Sequence, residues 1–357
     1  MPQYDLVILG AGPDGAAAAV AARRAGLSVA LIDKARFPRA KLCGGLVTGR
    51  CAGHLDAVFG LGLETGLFET RHSFDFHLSG APLGRLDDVP PAHLTTRWAF
   101  DNALFGRAIA AGAADHSGQR VARLDLAANR VELKSGPVLS YGCLIGADGV
   151  QSIVARALFG APFDKRHIGF ALEIEAAPVS PDAATPLRID FAAARWGYGW
   201  VFPKAGSTTI GVAGLQARNP DMQALLRTYL DRLGVETAAR VKGHFVPFGG
   251  YRRRPGRGNV LLAGDAAGFV DPITGEGIGH AVDSEALAAR AAAAALKAGR
   301  PATALARYRP ATRPIRTALA SARLLRPLIF ARPLEPFFAS SFRNSRRLRR
   351  DYMHLLA

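Results

Sequence analysis

The stretch LVILGAGPDG, residues 6 to 15, constrains the fold of this 357-residue chain more than any other. Four consecutive apolar residues, Leu6 to Leu9, suit a buried parallel strand. Gly10, Gly12 and Gly15 follow in the spacing G-x-G-x-x-G. The first glycine permits a tight turn, the second lets backbone approach a pyrophosphate, and the third lets the next helix pack closely on the strand. Residues 13 to 25 are alanine-rich and helical in character. A second strand, Ser28 to Ile32, ends at Asp33, 23 residues after Gly10. A carboxylate there can accept hydrogen bonds from ribose hydroxyls, and it disfavours a 2′-phosphate. Strand, glycines, helix, strand and acid in register predict a dinucleotide-binding βαβ unit, without choosing between NAD and FAD.

Two later stretches repeat the strand-then-turn pattern. In YGCLIGADGVQSIVARALFG, Leu144 and Ile145 end a strand that runs into Gly146-Ala147-Asp148-Gly149. In NVLLAGDAAGFVDPITGEGIGHA, a strand from Val260 to Ala263 runs into Gly264-Asp265, and a long alanine-rich helix follows Gly275-Glu276-Gly277. A carboxylate at a strand end can bond a polyol chain. A helix start presents free N–H groups and a dipole that favour nearby negative charge, such as the pyrimidine edge of a reduced flavin.

Together the βαβ fingerprint, GADG and GDAAG resemble the FAD-dependent group that includes para-hydroxybenzoate hydroxylase. KLCGG at 41–45, YGWVFPK at 198–204 and GDAAGFVDPITGEGIGHA at 264–281 resemble its geranylgeranyl reductase branch. The resemblance covers about residues 1 to 300. It implies FAD as cofactor, with Gly10, Gly12 and Gly15 on the pyrophosphate, Asp33 and the adjoining Lys34 on the adenosine side, and Arg97 near the phosphates. It implies that Val121 meets the adenine through its backbone and that Asp265 binds ribitol or pyrophosphate. Gly275, Gly277 and Ile278 would approach the flavin ring, with Cys43, Gly44 and Gly45 beside it. Tyr198, Trp200, Phe202 and Pro203 would line an apolar substrate cavity. Cys43 and His280 are the candidate catalytic residues. Cys43 either packs on the flavin or delivers a proton, and His280 is either a proton source or a helix-start histidine. Two positions depart from the pattern. Gly279 stands where aromatic hydroxylases of the group carry asparagine, as suits the reductase branch, and Arg195 stands where the reductase motif begins with proline.

The expected fold class is α/β: a Rossmann-type FAD-binding domain, a second antiparallel β-sheet substrate domain and a helical C-terminal cap. The FAD domain is expected from residues 1–72, 94–160 and 255–300, and the substrate domain from 73–93 and 161–254. Strands are expected in HIGFALEIEAA, PLRIDFAA, GYGWVFPKAG and STTIGVAGL, and an amphipathic helix in DMQALLRTYLDRLG, ending at Gly234.

Residues 301–357 are expected to be a basic helical segment over the cavity, because they hold twelve arginines against Glu335 and Asp351 in a chain of net charge +16. That charge reads as a solvated surface, as attraction to anionic lipid headgroups or a phosphorylated substrate, or as a dock for an acidic redox partner. No nucleic-acid module accompanies it. Three cysteines without CxxC spacing, scattered histidines and the absence of a signal-peptide pattern lead us to expect no metal site. They also lead us to expect a cytoplasmic protein, peripheral at a membrane surface if the basic segment binds lipid.

The function expected from the resemblance is FAD-dependent reduction of carbon–carbon double bonds in an isoprenoid lipid or diphosphate, by hydride from reduced flavin N5. The alternative is an FAD-dependent monooxygenase of an aromatic or lipophilic substrate. A flavin-bearing electron carrier or lipid-binding protein is the third class. No second nucleotide fingerprint is present, so the electron donor is expected to be transiently bound NAD(P)H or an acidic redox protein.

Overall fold

A computed structural model describes residues 3–63, 66–178 and 185–356. Residues 1, 2, 64 and 65 of the expected FAD domain, 179–184 of the expected substrate domain and 357 of the C-terminal segment lie outside the described residues. The strand Gln3–Leu9 sits inside an eight-stranded sheet, flanked by Val138–Gly146 and Val29–Asp33. Val260–Leu262 and Ala114–Ser117 extend that parallel core outward. Leu6 and Ile8 pack with the helices Pro13–Arg24 and Ile278–Lys297, whereas Val7 and Leu9 pack on the opposite face with Val154 and Leu262. Burial on both faces is the reason the strand reads as an unbroken apolar run. The two helices meet through fully buried alanines, among them Ala16, Ala19, Ala288 and Ala292, whose small side chains permit close approach.

A seven-stranded sheet stands beside it, in the order Lys242–Val246, Gly169–Ala176, Thr208–Leu215, Gly197–Pro203, Leu187–Phe191, Phe74–Leu78, Ala81–Leu86. The expected strands and the helix Met222–Leu233 form, the helix capped by Asp221 and closed by Gly234 in the left-handed region. The expectation of an antiparallel sheet holds for every pairing but one: Leu187–Phe191 runs parallel to Phe74–Leu78. That exception follows from the chain path, since the hairpin 74–86 joins the sheet from far upstream. A small third sheet, Leu46–Val47, Ala92–Leu94 and Glu69–Arg71, anchors the segment that follows KLCGG.

The C-terminal segment is helical: Ala304–Ala311, Arg313–Phe330, Glu335–Asn344 and Arg346–Leu356. Phe330, Phe338, Phe342 and Tyr352 pack on Phe76 and Phe191 of the second sheet, with Phe76–Phe342 ring centroids 5.1 Å apart and Phe191–Tyr352 centroids 5.3 Å apart. Arg326 pins the long helix. Its guanidinium donates to the carbonyls of Trp196 at 2.9 Å and Phe248 at 3.4 Å, and lies over both of their rings. Among the described residues, no helix is long and apolar enough to cross a membrane.

Candidate active site

The seven-stranded sheet, loops and helix starts beside the nucleotide-binding fingerprint, and the last helix line a cavity that is partly open to solvent. One wall is the strand-borne set Ala171, Ile189, Tyr198, Trp200, Phe202 and Ala213. The opposite wall is the turn Thr274–Ile278, and Lys41–Leu46 forms a third side. Asp14, Arg97 and Asp265 line the far end, and Tyr352 reaches in from the cap.

Each glycine of KLCGG answers to a protein neighbour. A Cβ on Gly44 would lie 2.9 Å from the Phe202 ring and 3.3 Å from Trp200 Nε1, so glycine lets this segment lie flat against the aromatic wall. Gly45 has φ +79°, and a Cβ there would lie 2.1 Å from the Thr95 carbonyl oxygen. Its own carbonyl accepts from Thr95 N–H at 2.9 Å. Phe202, Trp200 and Thr95 are thus protein neighbours that require glycine at both positions. Cys43 is part of the cavity wall. Its Sγ accepts from Gly45 N–H at 3.4 Å, and its N–H donates to Glu173 Oε1 at 3.1 Å.

Glu173 went unnoticed in the sequence. It is 3% exposed, and its Oε2 has no partner among the described residues. Burial pushes its carboxyl up to about 7, opposed by the Cys43 N–H. The available signal was alternation: Glu173 shares a strand face with Ala171, which lines the cavity.

The Thr274–Ile278 turn is held from both sides. The Tyr198 hydroxyl donates to the Thr274 carbonyl, and Asp271 Oδ1 accepts from the N–H groups of Ile273 and Thr274, both at 2.8 Å. Glu276 is buried and accepts from Arg50 at 2.5 Å and Thr48 Oγ1 at 3.2 Å. A Cβ on Gly279 would lie 2.6 Å from Glu276 Oε1 and 3.3 Å from Cys51 Cβ, which leaves no room for asparagine there. The turn opens the 20-residue helix Ile278–Lys297, whose start at Gly277 and Ile278 lines the cavity.

At the other end, Gly10 and Gly15 make backbone contacts that a side chain would block. A Cβ on Gly10 would lie 2.1 Å from the Ala147 carbonyl oxygen, and one on Gly15 would lie 1.7 Å from the Gly10 carbonyl oxygen. Asp33 accepts from Ala11 N–H and Ala35 N–H, each at 2.8 Å, which fixes the turn and leaves a further lone pair on each oxygen for hydroxyl donors. Lys34 is exposed beside it. Gly118 and Gln119 bond back to Ala35 and Asp33, so Val121 starts its strand close to that acid. Arg97 is buried and bidentate to Asp101, which also pairs with Arg39 at 3.0 Å. Asp148 caps the helix Ile153–Phe159 through Ile153 N–H at 2.7 Å.

Asp14, inside the fingerprint itself, was also passed over. Its Oδ2 would lie 2.7 Å from a Cβ on Gly264. Burial pushes its carboxyl up to about 6, with Lys41 opposing and Asp265 adding to the rise. His244 lines the cavity in neutral form, its pKa lowered to about 4 by burial and by Lys41.

Not every expected site residue reaches the cavity. His280 is buried beside Arg50 and His54, outside the lining, and burial lowers its pKa to about 4, so the ring is neutral at neutral pH. Pro203 is outside the lining, with its carbonyl accepting from Arg71 at 3.1 Å. Arg195 lies on an exposed turn whose backbone is held by Asn219.

A family model described as FAD dependent oxidoreductase matches residues 5–82, and one described as Tryptophan halogenase matches residues 84–312. The chain is 30% identical to menaquinone reductase of Mycolicibacterium smegmatis, over 80% of this chain and 75% of that protein. It is 32% identical to geranylgeranyl diphosphate reductase of Rhodobacter capsulatus, over 82% of this chain and 75% of that protein. A solved structure of a geranylgeranyl bacteriochlorophyll reductase-like protein from Thermoplasma acidophilum shares the fold, with a TM-score of 0.83 at 19% identity, covering 97% of this chain and 92% of that one.

Proposed function

The chain belongs to the geranylgeranyl reductase-type FAD-dependent oxidoreductases, and from that premise we propose that it reduces carbon–carbon double bonds in the prenyl chain of an isoprenoid lipid or diphosphate. The observation that carries the reading is the cavity itself: a wall of Ile189, Trp200, Phe202, Ala171 and Ala213 facing the Thr274–Ile278 turn. An apolar chain fits that wall, and an apolar wall holds an alkene without competing for it by hydrogen bonds. Menaquinone and geranylgeranyl diphosphate, for which two relatives are named, have a prenyl chain in common and differ in head group.

The residues present fit FAD. Gly10, Gly12 and Gly15 would cradle the pyrophosphate, Asp33 would accept from the ribose, and the helix start at Gly277–Ile278 would face the flavin's pyrimidine edge. Reduced FAD bound there supplies a hydride. The chain's own part is to place one alkene carbon near that hydride, exclude water, and supply a proton to the other carbon. Trp200, Phe202 and Tyr352 serve the first two tasks. The third falls to the Cys43 side of the wall, where the Glu173 carboxyl, pushed up to about 7 and so still partly protonated at neutral pH, accepts the Cys43 N–H. Electrons would come from NAD(P)H or a reduced acidic protein.

The match of residues 84–312 to the tryptophan halogenase model favours a second reading, oxygen-dependent chemistry on an aromatic or lipophilic substrate. Product analysis separates the two. Incubation of reduced enzyme with prenyl lipids under nitrogen should give product heavier by two hydrogens per reduced bond. Product carrying oxygen from O₂, with none formed under nitrogen, would establish the second reading instead.

A further inference from the structure

The described residues expose ten large apolar side chains, and five of them fall between 324 and 337: Leu324, Leu325, Leu328, Leu334 and Phe337. Leu324 is 80% exposed and Phe337 71%. Such clustering is not the scatter of single apolar residues that ordinary surfaces show. The helix Arg313–Phe330 buries Ile315, Leu319, Ala322, Arg326 and Phe330 against the protein. Leu324, Leu325 and Leu328 fall on the other side, at one-turn spacing, and Leu334 and Phe337 follow around the corner into the helix Glu335–Asn344. The inner face of the same corner packs on the aromatic cluster that continues to Tyr352 in the cavity wall.

Exposed arginines accompany this patch along the chain. Arg323, Arg332 and Arg343 are exposed within or beside it, and Arg346, Arg347 and Arg350 continue along the next helix. Among the described residues, Arg332 and Arg343 have no carboxylate within ion-pair distance, whereas Arg346 and Arg350 share Asp88. Uncompensated guanidinium groups next to exposed leucine and phenylalanine match one kind of partner, a bilayer interface with anionic headgroups. A second copy of the chain is a poor match, because the two arginine-rich faces would repel.

We propose that the corner formed by residues 324–337 docks the enzyme on an anionic membrane, with the leucines and Phe337 entering the interface and the arginines on the headgroups. This deepens the lipid-reductase reading by placing the cap that closes the cavity at the surface where a prenyl lipid resides. Docking itself requires no turnover, so the two can fail separately.

The test is co-sedimentation of the full-length holoenzyme with vesicles of phosphatidylcholine alone or mixed with phosphatidylglycerol, at low and high salt. The wild type should partition to the mixed vesicles, less so at high salt and little to phosphatidylcholine alone. Leu324→Ser combined with Leu328→Ser and Phe337→Ser should weaken partition by roughly tenfold or more. The variant should keep its flavin and its activity on detergent-dispersed substrate, because these side chains face solvent. A second variant, Arg332→Gln with Arg343→Gln, should lose the preference for anionic vesicles. Failure of the wild type to sediment would overturn the proposal, as would a triple variant that binds like wild type. So would concentration-dependent self-association that the triple variant abolishes, which would assign the patch to a second copy. Vesicle binding without prenyl reduction would retire the substrate reading and leave the docking surface standing.

Discussion

The N–H of Cys43 donates to Oε1 of Glu173 at 3.1 Å, so the cavity wall is tied to a carboxyl that burial holds up to about 7. The group keeps its proton below that pH and ionises above it. Turnover should therefore fall as pH rises through about 7, and Glu173→Gln should flatten that limb of the profile. Stability carries the same signature. The folded carboxyl titrates above its ordinary value of 4.5, so the native state is favoured at low pH and loses that advantage as pH rises from about 4.5 to about 7. Glu173→Gln should remove the dependence, making the variant more stable than wild type at alkaline pH by up to roughly 3 kcal/mol. Urea midpoints at acid and alkaline pH measure it, and an unchanged difference between the two would refute it.

Gly44 and Gly45 should respond differently to alanine. Gly45→Ala places a Cβ 2.1 Å from the Thr95 oxygen at φ +79°, and should destabilise the fold by about 1–3 kcal/mol or more. Gly44→Ala meets only the rings of Phe202 and Trp200. It should cost about 1 kcal/mol in stability and act mainly through a displaced aromatic wall, raising KM. Thermal melts beside steady-state kinetics distinguish the two patterns. Equal stability losses would contradict the assignment.

How much of this was legible beforehand follows from how local each signal is. Gly10, Gly12, Gly15 and Asp33 act on one another within a single βαβ unit, so their spacing alone predicts their contacts. The strands of the second sheet show in alternation, but the parallel pairing of Leu187–Phe191 with Phe74–Leu78 depends on a hairpin more than a hundred residues upstream. Glu173 meets Cys43 across 130 residues of sequence, and no short-range pattern announces that meeting. His280 shows the reverse failure. It follows the cavity-lining turn Thr274–Ile278 in sequence, yet the helical rotation turns it away from the cavity toward Arg50 and His54. The cap's arginine content was visible, but the division of its leucines into inner and outer faces needed the helix packing.

Asp14 places a carboxyl where the fingerprint would receive a pyrophosphate, and burial pushes that carboxyl up to about 6. A bound diphosphate would raise it further, so FAD binding should take up a proton, and FAD affinity should fall as pH rises above about 6. Asp14→Asn should bind FAD more tightly at pH 8 and lose the slope. Fluorescence titration of apoprotein with FAD at several pH values tests this. An Asn variant that binds more weakly would show that the carboxylate contributes to binding.

The Tyr198 hydroxyl donates to the Thr274 carbonyl and holds the Thr274–Ile278 turn against the second sheet. Tyr198→Phe removes that one bond while keeping the ring in the wall. It should cost about 1 kcal/mol, seen as a several-fold weaker FAD affinity with little change in the apolar wall. An unchanged FAD dissociation constant would place the restraint on the turn elsewhere, with Asp271.

The central claim, that the cavity presents a prenyl double bond to a reduced flavin, has a direct measurement. The holoenzyme is reduced chemically, mixed without oxygen with a series of geranylgeranyl lipids and diphosphates, and followed by flavin absorbance. The account predicts reoxidation at a rate that depends on prenyl substrate concentration, with one double bond lost per flavin reoxidised. A flavin that stays reduced across the whole series, and reoxidises only when oxygen is admitted, would contradict it.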